Sequence, residues 1–149
     1  GDDIYRQAKV YTKQYGTVEI RLDDATQLML SPNAAITIDD FVFAGASSKL
    51  TASLVKGAFR MISGRLPKAG YRVNTTIAQI GVRGTTFWLD VDKPGVLQIW
   101  VDDGAVVARP AQSTEQFVFS SPVYAECTVT TCRETAPPPK PIKYPLDPR

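Results

Sequence analysis

Besides Asp2-Asp3 at the N-terminus, acidic side chains occur in pairs at three places in the sequence, and paired carboxylates can bind calcium or act as a general acid and base. The pairs are Asp23-Asp24, Asp39-Asp40 and Asp102-Asp103. Each pair stands at or near a predicted turn or bulge, where aspartate is common. Neighbouring side chains of an extended strand point to opposite faces, so one pair cannot chelate one ion. These pairs therefore predict neither a metal site nor a catalytic dyad.

Other residues that could do chemistry are few, because the chain contains no histidine. This excludes Ser-His and Cys-His nucleophile pairs and every metal site that uses imidazole. The spacing Asp90-x-Asp92-x-x-Gly95 weakly matches a calcium-binding loop, but Val101 stands where the late bidentate glutamate would be. We therefore expect no enzyme activity, no cofactor, no metal and no small-molecule substrate.

Two cysteines, Cys127 and Cys132, are separated by Thr-Val-Thr-Thr. These β-branched residues favour extended chain, so the pair could close a short hairpin through a disulfide. The alternative is two unrelated buried thiols, and the ligands that would complete a zinc site are missing. A disulfide would place the chain in an oxidising compartment.

The segment Gly81-Val82-Arg83-Gly84 could be a phosphate-binding loop, a turn or a display site for its arginine. Phosphate loops open a helix, whereas a β-branched and aromatic run follows here at residues 85–91. We expect the glycines to permit a kink between two strands, with Arg83 bonded to neighbouring carbonyls or to an acidic residue. A partner-binding Arg83 and an anion site are the alternatives.

The elements that must position these residues are β-strands, because apolar residues recur with period two. The clearest alternations are Val18/Ile20/Leu22, Ile36/Ile38, Phe87/Leu89/Val91, Leu97/Ile99/Val101 and Phe117/Phe119. Turn residues separate runs of about five to seven residues, as in an all-β domain. We predict an all-β fold with two layers, either a β-solenoid-like stack or a sandwich of short antiparallel strands. The apolar parity flips at Asp39-Asp40, which predicts a bulge or corner.

One segment, residues 48–61, also fits a helix. Leu50, Leu54, Ala58 and Met61 have helical spacing there. Glycine within a helix costs about 1 kcal/mol, however, and Lys56-Gly57 makes a natural tight turn. We therefore favour two strands that meet at Gly57.

The chain divides into an N-terminal strand or arm (1–17), a β-domain (18–133) and a proline-rich extended tail (134–149). Proline occupies positions 137, 138, 139, 141, 145 and 148 of the tail. The formal net charge is only +2, which gives no reason to expect nucleic acid or an anionic membrane as a partner. No apolar run approaches the roughly 18 residues of a membrane-spanning helix.

Aromatic residues and the tail are the candidate protein-binding surfaces. Trp88 and Trp100 have the opposite parity to their apolar neighbours, so either both faces of their sheet are buried or the two rings are exposed. The N-terminal tyrosines are interleaved with basic residues, which fits either an edge strand that lysines keep from pairing or a partner-facing strip. The tail is either a solvated spacer or a docking peptide. The candidate interface residues are Tyr5, Tyr11, Tyr15, Trp88, Trp100, Pro138, Pro139, Pro141 and Tyr144.

Four segments together resemble the FecR-type domain family. They are RLDDATQLMLSPNAAITIDDFVF, LVKGAFRMISG, NTTIAQIGVRGTTFWLDV and LQIWVDDGAVVARP, and they extend from about Val18 to Ala108. The family-motif residues, to which we assign structural roles, are Lys56, Gly57, Phe59, Gly81, Arg83, Gly84 and Thr85. Ala25 replaces a glycine of the family pattern, which predicts a turn that avoids positive φ.

The resemblance implies a bacterial extracytoplasmic, all-β and non-catalytic module, periplasmic or secreted, in mature form after removal of a signal peptide. Regulators of this family carry an anti-sigma segment and a transmembrane helix, and this sequence shows neither. Because catalytic groups are missing and both termini are candidate contact arms, our leading hypothesis is a structural subunit of an envelope or extracellular assembly that works through protein partners or self-association. The alternative is a periplasmic sensor in cell-surface signalling, linked to sigma-factor regulation and a TonB-dependent receptor.

Overall fold

The computed structural model describes residues 8–42, 49–64 and 70–136, and β-strands make up most of this chain. Tyr5 and the tail candidates Pro138, Pro139, Pro141 and Tyr144 lie outside the described residues. The strands are β1 (Ala8–Tyr11), β2 (Val18–Arg21), β3 (Gln27–Leu30), β4 (Ala35–Val42), β5 (Lys49–Lys56), β6 (Ala58–Ile62), β7 (Tyr71–Asn74), β8 (Ala78–Asp90), β9 (Leu97–Pro110), β10 (Phe117–Ser120), β11 (Val123–Cys127) and β12 (Cys132–Glu134).

Two long antiparallel strands, β8 and β9, join the two layers of one open, mixed sheet. The first part of β8 pairs with β7 and its second part pairs with β6. In the same way β9 pairs with β10 at one end and with β11 at the other. The first layer thus runs β1-β4-β5-β7-β8-β9-β10, and the second runs β2-β3-β6-β8-β9-β11-β12.

The inward faces of both layers meet in a single apolar core. Ile36 and Ile38 of the first layer belong to the same buried cluster as Phe59, Phe87 and Ile99 of the second. The rings of Phe59 and Phe87 meet edge to face, with centroids 6.1 Å apart. Alternation of apolar residues along each strand supplies this core, because only every second side chain points inward.

The all-β, two-layered prediction is confirmed, although the sheet differs from it in two respects. β5 and β7 pair in parallel, whereas the other pairs are antiparallel. β8 and β9 contain 13 and 14 residues, which is longer than the strands expected. Their length follows from their position, since each runs through both layers.

Two local predictions on β4 to β6 are confirmed. Asp39 is an extra residue in β4, because Ile38 pairs with Ala52 while Asp40 pairs with Thr51. This bulge explains the change of apolar parity. The segment with the helix-like spacing forms β5 and β6, which meet at Gly57 with a φ of +81°.

The prediction for the turn at Ala25 is wrong, because Ala25 has a φ of +76°. The amide of Ala25 donates to the carbonyl of Leu22, whose own amide donates to the carbonyl of Thr26. These bonds close the loop so tightly that its third residue must be left-handed, whatever its side chain. An alanine in this conformation costs about 1–2 kcal/mol, which the hydrogen bonds offset.

Cys127 and Cys132 are joined by a disulfide at the end of the β11–β12 hairpin, where they are directly paired across the strands. This agrees with the hairpin expected from the intervening threonines. Within the described ranges, no helix has the length and apolar character needed to span a membrane.

Candidate functional site

The glycine-rich segment of β8 forms the bend between the two layers. Gly84 has a φ of +57°, and Gly104 opposite it on β9 has a φ of +84°. Thr85 is buried beside them, and its hydroxyl donates to the carbonyl of Ala105 at 2.6 Å. The main-chain amide of Thr85 donates to the hydroxyl of Ser63 at 2.7 Å. These bonds replace the ladder where the register of β8 and β9 shifts.

Arg83 does not behave as expected at this bend. Its side chain is exposed, and it makes no hydrogen bond or ion pair with any described residue. The kink also lies within one continuous strand, not between two strands. The exposure has a simple cause: Val82 points into the core, so Arg83 points outward. The space beside Gly81 is ample, since an added Cβ would lie 3.9 Å from the carbonyl oxygen of Val107.

The Lys-Gly-Ala-Phe segment anchors the second layer. A Cβ on Gly57 would lie 2.7 Å from the Cα of Ala34, so only glycine fits this turn. The amide of Gly57 donates to the carboxylate of Asp92 at 2.9 Å. Phe59 is fully buried, while Lys56 is exposed at the end of β5. The contacts of Gly57 and Phe59 thus hold the β5–β6 turn against Ala34 and the core.

Asp24 is a fully buried carboxylate with several hydrogen-bond donors. It accepts bonds from the amide of Thr26 at 3.0 Å, from the Thr26 hydroxyl at 2.6 Å and from the Tyr71 hydroxyl at 2.7 Å. These contacts tie the β2–β3 turn to β7, which is a structural use of the charge. Among the described residues, no group of three or more cysteine, aspartate or glutamate side chains could hold a metal ion.

The strongest candidate for a binding surface is a row of four side chains across the second layer, which we call the aromatic row. It consists of Arg60, Trp88, Trp100 and Tyr124, on β6, β8, β9 and β11. Arg60 pairs directly with Trp88, Trp88 with Trp100, and Trp100 with Tyr124. Because their sequence neighbours point into the core, these four side chains share the opposite, outer face of the sheet.

The side chains of the aromatic row contact one another along its length. The guanidinium carbon of Arg60 lies 5.6 Å from the ring centre of Trp88, within reach of a cation–π interaction. The rings of Trp88 and Trp100 stack at 6.4 Å, and those of Trp100 and Tyr124 are tilted at 6.1 Å. Such cross-strand pairs stabilise a sheet and form a continuous apolar platform.

Burial of the aromatic row is unusually deep for an outer face. Trp88 is only 1% exposed, and Ala58 and Trp100 pack against it in a small cluster separate from the main core. Trp100 is half-buried. Of the two possibilities left by the sequence, the structure therefore supports burial on both faces of this sheet.

Electrostatics at the Tyr124 end keep the hydroxyl of Tyr124 in its neutral form. Burial raises the pKa of Tyr124 to about 12, and the negative charges of Asp90 and Glu126 add to the rise. Glu126 also forms an ion pair with Lys93, in which Glu126 Oε1 lies 3.8 Å from Lys93 Nζ. A protonated hydroxyl can donate a hydrogen bond, so the row offers a donor next to two carboxylates.

Tyr11 and Tyr15, the other predicted interface residues that the structure describes, do not join the aromatic row. Tyr11 and Tyr15 are 66% and 89% exposed. Tyr11 lies on β1, at the far edge of the first layer, while the row lies in the second layer. The described part of the N-terminal arm is thus a separate surface.

Sequence reasoning missed two members of the row, Arg60 and Tyr124. A usable signal was present, because Arg60 alternates with the apolar Phe59 and Met61, and Tyr124 precedes the small, buried Ala125. Parity alone predicts an outward direction for each. It does not predict that the two side chains align with the tryptophans, since alignment depends on strand order and register.

The chain is similar to known proteins both in sequence and in fold. A family model described as FecR protein matches residues 8–107. Two crystal structures of a proposed anti-sigma factor from Parabacteroides distasonis have similar folds, with TM-scores of 0.68 and 0.65 and 13% sequence identity each. Each match covers 86% of this chain but 59% of the matched chain, so the present chain spans about three fifths of their length. No curated protein matches the sequence.

Proposed function

Because the chain belongs to the FecR protein family, we propose that it is an extracytoplasmic, non-catalytic sensor module in cell-surface signalling. In this role it binds a surface receptor on one side and a regulator of a sigma factor on the other. Its work is protein–protein recognition, with no substrate and no cofactor. The proposed location is the periplasm or the outer surface of a bacterial cell.

This proposal reverses the order of the two hypotheses drawn from the sequence. The structural-subunit hypothesis depended on contact arms at both ends, most of which lie outside the described residues. The signalling hypothesis has support from the family match and from the fold shared with proposed anti-sigma factors. Those matched chains are longer than this one, so the missing anti-sigma segment does not weigh against signalling.

The observation that carries the proposal is the aromatic row on the outer face of a FecR-type sheet. Tryptophan, tyrosine and arginine are the residue types that dominate binding energy at protein interfaces. Here Arg60 and Trp100, the half-buried members of the row, are held in place by direct strand pairing with the buried Trp88 and Tyr124, which lowers the entropic cost of binding. Arg83, exposed at the bend between the layers, is a second candidate contact.

Site-specific photocrosslinking in the native host tests the proposal. A crosslinker at Gln98, which flanks the row, should capture a surface receptor or a membrane-bound regulator. A matched crosslinker at the exposed Val118 on β10 should capture neither.

Deletion of the gene should alter transcription of a limited group of genes. Unchanged transcription together with loss of a surface structure would support the structural-subunit hypothesis instead.

A further inference from the structure

Charge is distributed unevenly between the two layers when β8 and β9 are divided at the bend, after Gly84 and Gly104. The strands of the first layer contain six basic and two acidic residues, whereas those of the second layer contain three basic and six acidic residues. The two layers nearly cancel, so the net charge of +2 gives no sign of the basic one. The six basic residues of the first layer are Lys9, Lys49, Lys56, Arg72, Arg83 and Arg109.

Four of these six basic side chains point outward from the first layer and are exposed to solvent. Each of them follows or precedes a residue whose side chain packs in the core, so the alternation of the strand turns it outward. None of the four side chains forms an ion pair or a hydrogen bond with any described residue. These four, which we call the basic face, are Lys9, Arg72, Arg83 and Arg109.

The acidic residues of the first layer do not neutralise the basic face. Asp40 forms an ion pair with Lys49, in which Asp40 Oδ2 lies 2.9 Å from Lys49 Nζ. Asp39 accepts a hydrogen bond from the hydroxyl of Ser53. Both acidic residues lie on β4, whereas the three arginines of the basic face lie on β7, β8 and β9. The arginines are therefore available to an anion outside the described chain.

The three arginines of the basic face surround Gly81, a position without a side chain. Arg72 pairs directly with Gly81 across β7 and β8. Arg83 lies two residues further along β8, and Arg109 pairs with Gln79, two residues in the other direction. Second neighbours along a strand and diagonal neighbours across strands are both about 7 Å apart, within reach of long side chains. Three guanidinium groups can therefore converge on one phosphate, which they bind well.

Exposed apolar side chains also belong to the first layer. Among the strands that the structure describes, the exposed large hydrophobic residues are Tyr11, Val55 and Val118, on β1, β5 and β10. Tyr15, in the turn that follows β1, is exposed as well. Tyrosine is enriched where membranes meet water, because its ring is apolar and its hydroxyl is polar. The same layer thus combines unpaired basic charge with exposed tyrosine.

The spread of these residues favours a flat lipid surface over a protein partner. Five strand spacings, or roughly 24 Å, separate Lys9 on β1 from Arg109 on β9. The exposed Tyr11 and Val118 lie on the two edge strands of the layer, β1 and β10. Protein interfaces concentrate their aromatic and apolar anchors near the centre. An anionic lipid surface instead attracts each basic residue separately.

We propose that the basic face of the first layer lies on the surface of a membrane that contains anionic lipids. The contact is peripheral: the arginines bind lipid phosphates, and Tyr11 and Tyr15 reach the headgroups. In this orientation the aromatic row, on the opposite outer face of the protein, points away from the lipid and stays open to a protein partner. This use of the row rests on the proposed function, whereas the membrane contact does not.

Vesicle flotation of the full chain tests the contact. The wild type should float with vesicles of phosphatidylethanolamine and phosphatidylglycerol, and should stay in solution with vesicles of phosphatidylcholine alone. Added salt should weaken the binding, because mobile ions screen exposed charges. The double variant Arg72→Gln/Arg109→Gln should bind the anionic vesicles about twentyfold more weakly, since each basic residue contributes about fivefold to the affinity.

The matched control is Arg21→Gln/Arg133→Gln, which removes two exposed arginines of the second layer and changes the net charge equally. This variant should bind the anionic vesicles as the wild type does. Equal free energies of unfolding for the two double variants exclude misfolding as the cause of any difference. A photocrosslinker at Val118 should capture lipid from the anionic vesicles, whereas one at Gln98, beside the aromatic row, should capture none.

The remaining outcomes separate the membrane contact from the alternatives. Equal binding of both double variants, or no binding of the wild type to anionic vesicles at low salt, would overturn the proposal. A protein captured at Val118 in the native host, with no lipid captured from vesicles, would assign the face to a protein partner and also overturn it. Receptor crosslinking at Gln98 without vesicle binding would overturn the membrane contact alone. Vesicle binding without any crosslinked receptor would remove the signalling function and keep the membrane contact.

Discussion

Gly104 on β9 lies directly against the main-chain carbonyl of Gly84 on β8, where both strands bend from one layer into the other. Both residues have positive φ, at +84° and +57°. The close approach lets two long paired strands bend together, which a side chain at position 104 would prevent. The two-layered arrangement, and with it the separation of the aromatic row from the core, depends on this contact.

Replacing Gly104 by alanine should destabilise the protein strongly. The positive φ costs about 1–2 kcal/mol for a residue with a Cβ, and overlap with the Gly84 backbone adds about 1–3 kcal/mol. The free energy of unfolding from urea denaturation measures the loss. Gly95→Ala is the matched control, because Gly95 also has positive φ but a Cβ added there would meet nothing within 4 Å. Equal losses in the two variants would contradict the close-approach argument.

Trp88→Ala should lower the free energy of unfolding by about 3–5 kcal/mol, as expected for a large, fully buried ring. The reason is that Trp88 is buried on the outer face as deeply as a core residue. Val118→Ala serves as the control, since Val118 is 58% exposed and its replacement should lower the free energy of unfolding only slightly. A Trp88→Ala variant as stable as the Val118→Ala variant would show that the row contributes nothing to stability.

Stability should fall as pH rises through the range of Tyr124 ionisation. The pKa of Tyr124 is raised to about 12 in the folded chain, against about 10 for an unfolded tyrosine. The folded state therefore holds this proton more tightly, so its contribution is complete below pH 10 and is lost as the pH approaches 12. Tyr124→Phe should reduce this fall in stability with rising pH. Tyr15→Phe, which changes an exposed ring, is the control and should leave the fall unchanged. Ultraviolet absorbance of tyrosinate and denaturation at each pH measure both effects.

Asp24→Ala should destabilise the β2–β3 turn and its contact with β7. Removing the carboxylate leaves the donors of Thr26 and Tyr71 buried without it, at about 1–3 kcal/mol for each unsatisfied group. Tyr71→Phe removes one donor together with its bond and should cost only about 1 kcal/mol. Glu115→Ala, which removes an exposed carboxylate between β9 and β10, is the control. Similar losses for Glu115→Ala and Asp24→Ala would argue against a buried hydrogen-bond centre.

The Cys127–Cys132 disulfide predicts an oxidising compartment. Protein isolated from its native host in the presence of an alkylating agent should carry no modified cysteine until a reductant is added. Mass spectrometry of the denatured chain measures the modification. Two alkylated cysteines before reduction would remove the support that the disulfide gives to a periplasmic or extracellular location.

Much of the fold could be predicted from local sequence, and the errors have local causes. The bulge at Asp39 and the turn at Gly57 were predictable because a change of parity and a glycine each report on one strand at a time. The left-handed Ala25 was not, because the hydrogen bonds from the Ala25 amide to the Leu22 carbonyl and from the Leu22 amide to the Thr26 carbonyl overrode the preference of the residue itself. The exposure of Arg83 was likewise set by the direction of its strand, whatever polar groups lie near it in sequence.

The candidate site, too, could be predicted from the sequence only in part. By itself the sequence determined that the chain is all-β, that its motifs are those of the FecR family, and that Trp88 and Trp100 face away from the core, because strand parity and motif residues are local properties. Only the tertiary structure decided that Arg60 and Tyr124 complete one row with them. That alignment comes from the order and register of four strands, two of which reach the second layer only through the bend at Gly84 and Gly104. Pairing between strands that are distant in sequence leaves no periodic pattern within any one strand.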